Sequence, residues 1–249
     1  MLNRIARIDQ RRLAVVLGAF IVGFGIMGSF YIRDASYIHG GWVGKVHLFG
    51  YRIKGFNLDG EMNLPTAFSG LLLVAACAAG LIVSTQSRKI QIPAARLVPV
   101  ALLIGYMSLD EVWQFHERLE TWVGIDWQAL YIPIFAVAGI IGLSLLPHLR
   151  RAGNSANLFL AGAGAWAVSQ VIEGLQWDSH DHLRAAWSIV PEETLEMTGS
   201  LLFLLAFLAL ARHIVAVAAT RGQQSDSQPR AAAQLAPVPP SPPDSPDPR

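Results

Sequence analysis

Residues 97–120 read LVPVALLIGYMSLDEVWQFHERLE. A bilayer core of about 30 Å is crossed by about 20 apolar residues rising 1.5 Å each. With Arg96 at one interface, Asp110 lies about 21 Å along such a helix, below the far surface rather than beyond it. This run therefore predicts a membrane span that carries ionisable groups into its outer end. Asp110, Gln114 and Glu117 are spaced to share one face, Glu111 lies about a hundred degrees round, and His116 points mostly away from Asp110.

Five more segments have the same length and character: Leu13–Ile32, Thr66–Ser84, Leu130–Leu149, Asn157–Gln176 and Pro191–Ala211, with Ala94–Phe115 as the third of six. Backbone polar groups cannot be left unpaired in lipid, so all six are expected to be helices. The fold class is all-α, a polytopic membrane bundle. Composition agrees: 53% of the 249 residues are hydrophobic and 15% charged, against about a quarter charged in an ordinary soluble domain, and the mean hydropathy is +0.40. A net charge of +1 gives no reason to invoke nucleic acid, and the single cysteine, Cys77, excludes a disulfide framework within the chain. The first apolar run lacks a small-residue cleavage site and reads as a retained span. No internal repeat is apparent, which gives no support to an inverted-repeat transporter.

Basic residues set the orientation. Arg4, Arg7, Arg11, Arg12, Arg88, Lys89, Arg96, Arg150, Arg151 and Arg212 all fall on one side of a six-span chain. That side is read as cytoplasmic and holds both termini, and the membrane as a bacterial inner membrane. The acids take the other side. The organisation follows as residues 1–12, a basic amino-terminal segment; 13–215, a six-helix membrane domain with an outer loop at 33–65; and 221–249, a Pro-rich tail ending PVPPSPPDSPDPR. That tail offers no packing face and is expected to be disordered.

The acids converge on one layer. Span six opens PEETLEMTGS, and Glu196 lies about 24 Å along the helix from Arg212, close to the depth of Asp110. Glu192 or Glu193 shares its face. Span five offers Gln170, Glu173 and, if the helix continues, His180 on one face, and the outer loop offers Asp59, Glu61 and Asn63 in FNLDGEMNLPT. For Glu192 and Glu193 there is an ordinary alternative, because a proline followed by acids is helix-start chemistry favoured by the dipole. Asp110, Glu111 and Glu117 stand at a helix C-terminus, where the dipole opposes negative charge, and at partial membrane depth, where ionisable groups are costly and functional. Trp42, Trp113, Trp122, Trp127, Trp177 and Trp187 read as an interfacial aromatic belt.

Carboxylates crowded in a low-dielectric layer need cations or protons. Oxygen-rich sites with one or two imidazoles suit Mn, Fe, Ca or Mg, with Zn also possible. Di-iron bundles use Glu-x-x-His motifs, and the chain contains none. The candidate metal ligands are Asp110, Glu117, Glu173, Glu193, Glu196, Glu61 and His180. The candidate catalytic groups are His116 and Glu111, with His116 or His180 as ligand or general base.

The strings FNLDGEMNLPTAFS, SLDEVWQFHE and PEETLEM together resemble a group of uncharacterised bacterial six-span membrane proteins. The first two also faintly resemble alkaline ceramidases of the CREST superfamily of membrane hydrolases, through Glu61, Asn63 and Ser69 and through Leu109-Asp110-Glu111. That resemblance implies a zinc hydrolase. Those enzymes bind zinc through an HxxxH in a late helix of a seven-span fold, and this chain has neither the motif nor a seventh span. The leading expectation is an outward-facing divalent-metal site serving a membrane enzyme on a lipid-like or amphiphilic substrate. A proton- or cation-coupled transporter and a structural subunit of a larger membrane complex are the alternatives.

Overall fold

The computed structural model describes residues 1–32, 37–39, 46–48, 51–53, 58, 64–178 and 183–234. The architecture is all-helical. Helices α1 (Leu2–Ala6), α2 (Gln10–Ile32), α3 (Leu64–Ser84), α4 (Ala94–Trp113), α5 (Phe115–Val123), α6 (Trp127–Leu149), α7 (Ser155–Gln176) and α8 (Ala186–Gln234) follow one another, with a 3₁₀ turn at Ser87–Ile90. Strand pairing is confined to the connections. Tyr37–His39 pairs antiparallel with Leu183–Ala185, which also pairs with Trp177–Asp178, and Val46–Leu48 pairs with Tyr51–Ile53.

Five of these helices are long and apolar enough to cross a membrane: α2, α3, α6, α7 and the part of α8 from Trp187 to Arg221. Their length and apolar composition are those of a membrane protein. The third expected span, α4, has a similar length but carries Arg96, Asp110 and Glu111. Two boundaries differ from expectation. α4 stops at Trp113 because Gln114 takes the left-handed conformation (φ 53°, ψ 45°), and the chain turns there into α5. α8 begins at Ala186, upstream of Pro191, and its helical backbone runs past Ala211 to Gln234. The expected tail from 221 begins within the backbone of this helix, and residues 235–249 lie outside the described residues.

α8 is the hub, packing against α1, α2, α3, α7 and the 3₁₀ turn. Between helices in lipid the association comes from close packing rather than from expelling water, so small residues mark the seams. A Cβ added at Gly80 would meet Ala101 at 2.9 Å and the Phe207 ring at 3.1 Å. Leu73, Ala76 and Val83 of α3, Leu97 and Ile104 of α4, and Leu208, Leu210 and Ile214 of α8 fill the interior. The apolar residues left outside, such as Val15, Phe20, Ile132, Val137, Ile140 and Val171, suit a surface solvated by acyl chains. Toward the basic end, Arg96 Nη1 donates to the Ser144 carbonyl at 3.1 Å and Ser155 Oγ donates to the Ala206 carbonyl at 3.0 Å. Acids gather at the opposite end.

Candidate functional site

The break at Gln114 builds the first part of the site. An L-residue in the left-handed region is held there at a cost of about 1–2 kcal/mol, and here it reverses the chain. The Gln114 N–H still reaches the Asp110 carbonyl (2.7 Å), and two residues later the His116 N–H donates to Asp110 Oδ1 (2.9 Å). His116 Nδ1 lies 3.1 Å from Asp110 Oδ2. A carboxylate only accepts, so an ionised Asp110 fixes the proton on Nδ1. This corrects the expectation that His116 points away from Asp110, which assumed one continuous helix. Asp110 is buried and also accepts from the Tyr131 hydroxyl at 3.3 Å, and Tyr131 is hydrogen-bonded to Tyr106. The His116 ring lies tilted against Trp127, with centroids 4.8 Å apart, and Trp127 meets Tyr131 edge-on at 5.4 Å.

The second part comes from α7 and α8. Gly162 and Gly199 let the two backbones touch: a Cβ on Gly199 would stand 2.9 Å from the Gly162 carbonyl and 2.3 Å from the Trp166 ring. Trp166 Nε1 donates to Ser200 Oγ at 3.3 Å. This close approach carries Glu173 of α7 to Glu192 and Glu196 of α8, one turn apart on the same face. One carboxylate oxygen from each lies within 4.8 Å of the others. Gln170 Nε2 donates to Glu196 Oε1 (3.0 Å), Ser169 Oγ lies 3.4 Å from the same oxygen, and Gln128 Nε2 of α6 reaches Glu173 Oε2 at 3.3 Å. The charges of Glu111, Glu173, Glu192 and Glu193 all act on Glu196.

Both parts line one cavity of about 620 Å³. Its α4 and α6 wall carries Leu103, Met107, Tyr131, Ile134 and Phe135 below Asp110 and His116; its α7 and α8 wall carries the three glutamates. Of the sequence candidates, Asp110, Glu111, His116, Glu173, Glu193 and Glu196 line this cavity. Glu117 is in α5, and its side chain lies outside the described residues, as do Glu61 and His180. Glu192, offered as the alternative to Glu193 on the face of Glu196 but left out of the ligand set, belongs with Glu173 and Glu196. It is 3% exposed, and because α8 starts at Ala186 it is not in a first turn, so the helix-start reading of Pro191-Glu192-Glu193 no longer applies. Its spacing of four from Glu196 was the available signal. Tyr131 was missed because it sits in what reads as a plain lipid-facing span, and Gln128 because it falls just before that span in a segment with no motif. Trp127, assigned to the aromatic belt, instead lines the cavity, whereas Trp113, Trp122 and Trp187 are exposed as a belt requires.

Fold and site together define a class: a helical membrane protein with a carboxylate-rich cavity let into one end of its bundle. The chain belongs to the family described as a domain of unknown function, DUF8692, whose model matches residues 53–211. That match takes in every described residue lining the cavity. No curated protein and no solved structure matches the chain, and the resemblance to alkaline ceramidases is not shown by these comparisons.

Proposed function

We propose that the protein binds a divalent metal through Glu173, Glu192 and Glu196 and that this site serves a membrane enzyme acting on an amphiphilic substrate. One observation carries the reading: carboxylate oxygens from three glutamates lie within 4.8 Å of one another inside the cavity. An all-oxygen donor set suits a hard cation, Mn²⁺, Mg²⁺, Ca²⁺ or Fe²⁺, ahead of Zn²⁺. Such an ion supplies Lewis acidity and an activated water. His116, its tautomer held by Asp110, is the general base, and Glu111 lines the same space as a second proton-transfer group. The apolar α4 and α6 wall accommodates the rest of the substrate.

In this reading α4 is the sixth span, its charges housed at its two ends. The basic end of the bundle faces the cytoplasm with both termini, the cavity faces outward, and the membrane is a bacterial inner membrane. Proton- or cation-coupled transport is the weaker alternative, since between the cavity and the buried serines at the basic end, Ser84, Ser87 and Ser155, the described core is apolar at Ile104, Phe203 and Phe207.

Metal analysis of the purified protein tests the proposal. Wild type should carry about one divalent ion per chain, and Glu173→Gln and Glu196→Gln should each release it, since an amide lacks the charge that holds a hard cation. His116→Gln should retain it. An ion content indifferent to both glutamate substitutions would refute the assignment.

A further inference from the structure

The cavity lining is acidic beyond the three glutamates. Eight carboxylates line it and, among the described residues, no lysine or arginine does; His116 is the only basic side chain in that lining. Glu120 and Asp126 are separate from the three glutamates and stand at exposed positions.

The uncharged part of the lining is just as distinctive. Tyr106, Trp127, Tyr131, Phe135 and Trp166 present aromatic rings to the cavity. Trp127 is flanked in sequence and space by acids: Glu120 Oε2 accepts from its backbone N–H at 3.4 Å, and Asp126 caps the helix that it opens, accepting from Gln128 N at 2.7 Å. Acids set around aromatic faces are the recognition chemistry of organic ammonium groups, attracted by both the charge and the ring quadrupole. Deeper, the α4 and α6 wall becomes aliphatic at Leu103, Met107 and Ile134. Ile134 lines the cavity and is also 43% exposed on the flank of the bundle, so this wall is open toward the acyl-chain side.

We infer that the cavity takes an amphiphile with a cationic, ammonium-bearing head, seated with the head between Trp127, Glu120 and Asp126 and the apolar chain along Tyr131, Phe135, Ile134 and Met107. The inference rests on the cavity being the working site, as proposed above, but not on the metal within it. A carboxylate or phosphate head is repelled by the same lining unless a metal ion receives it.

The test uses the full-length protein in neutral detergent, with octyltrimethylammonium and octanoate as probes below their micellar concentrations. Tryptophan fluorescence reports probe binding, and Mn²⁺ binding is measured on the same preparation by electron paramagnetic resonance. Octyltrimethylammonium should bind saturably and at least ~10-fold more tightly than octanoate, with or without Mn²⁺. Trp127→Leu keeps apolar bulk but removes the ring, and should weaken the ammonium probe ~10-fold or more. Glu120→Gln, at an exposed position that folding tolerates, should weaken it severalfold and leave Mn²⁺ binding unchanged. Equal binding of octanoate, or no saturable binding of either probe, overturns the inference while leaving the metal site standing if Mn²⁺ still binds. Ammonium binding unaffected by both substitutions overturns it too. Saturable ammonium binding without Mn²⁺ binding supports the inference and overturns the metal reading instead.

Discussion

Replacing Glu192 by glutamine should raise stability in chelator and lose most or all of that advantage when metal is added. Two unit charges 4.8 Å apart, the outer limit for the three glutamates, interact by about 3.5 kcal/mol at an effective dielectric of about 20. Glu192 takes part in two of the three pairs, so full ionisation without a cation would place about 7 kcal/mol of repulsion on this one side chain. Proton uptake relieves most of that, and the isosteric amide removes what is left; a stabilisation on the order of 1–3 kcal/mol is expected in chelator. At about 2–4 °C per kcal/mol for a chain of this size, the variant should melt several degrees above wild type. With Mn²⁺ at a hundred times Kd, wild type gains about 2.7 kcal/mol from binding to the folded state alone. The variant, lacking a ligand, gains little, and the order of melting temperatures narrows or inverts. Thermal unfolding of both proteins in detergent, with chelator and with Mn²⁺, measures all four values. The same wild-type-to-variant difference under both conditions would refute the idea that these glutamates share a cation.

Two further outcomes are expected. Gly199→Ala should destabilise by about 1–3 kcal/mol, because the added Cβ meets the Trp166 ring at 2.3 Å and the Gly162 carbonyl at 2.9 Å, and it should weaken metal binding by displacing Glu173 from Glu192 and Glu196. Gly139→Ala in α6, where a Cβ meets nothing within 4 Å, is the matched control and should be neutral or slightly stabilising in thermal unfolding. A topology reporter fused after Arg221 should read cytoplasmic and one inserted near Gly44 external; the reverse would put the cavity on the cytoplasmic face.

The helices were legible in sequence because membrane thickness sets their length, and α2, α3, α6 and α7 begin and end within a few residues of the hydropathy limits. The gathering of Glu173 and Glu196 at one level was legible too, since depth along a helix is a matter of counting residues from the basic end. What escaped were features set by backbone conformation and by contacts between helices. Nothing in the string VWQFHE announces that Gln114 leaves the helix, yet that one residue decides whether His116 meets Asp110 or faces away from it. Pro191 invited a helix start at the wrong place, because inside a membrane bundle neighbouring groups can re-satisfy the carbonyl that a proline frees, and the misplaced start disguised Glu192 as a capping residue. Tyr131 lies in an apolar stretch, and Gln128 just before it, on a helix whose inward face is chosen only by the packing of α4 and α7 against it.

The central position of α8 has a consequence for biogenesis. The ribosome delivers α2, α3 and α4 to the membrane before the helix that α2 and α3 pack against exists, and α7 waits for it as well. Until α8 arrives, Glu173 has neither of its carboxylate neighbours, and the groove between α3 and α7 has no filling. The nascent intermediate is therefore a loose set of hairpins, and the acidic cluster, with its mutual repulsion, is assembled only in the last step of insertion. If these glutamates hold a cation as proposed, its capture at that moment would latch the finished bundle, and metal supply during synthesis would then bear on how much protein reaches its mature form.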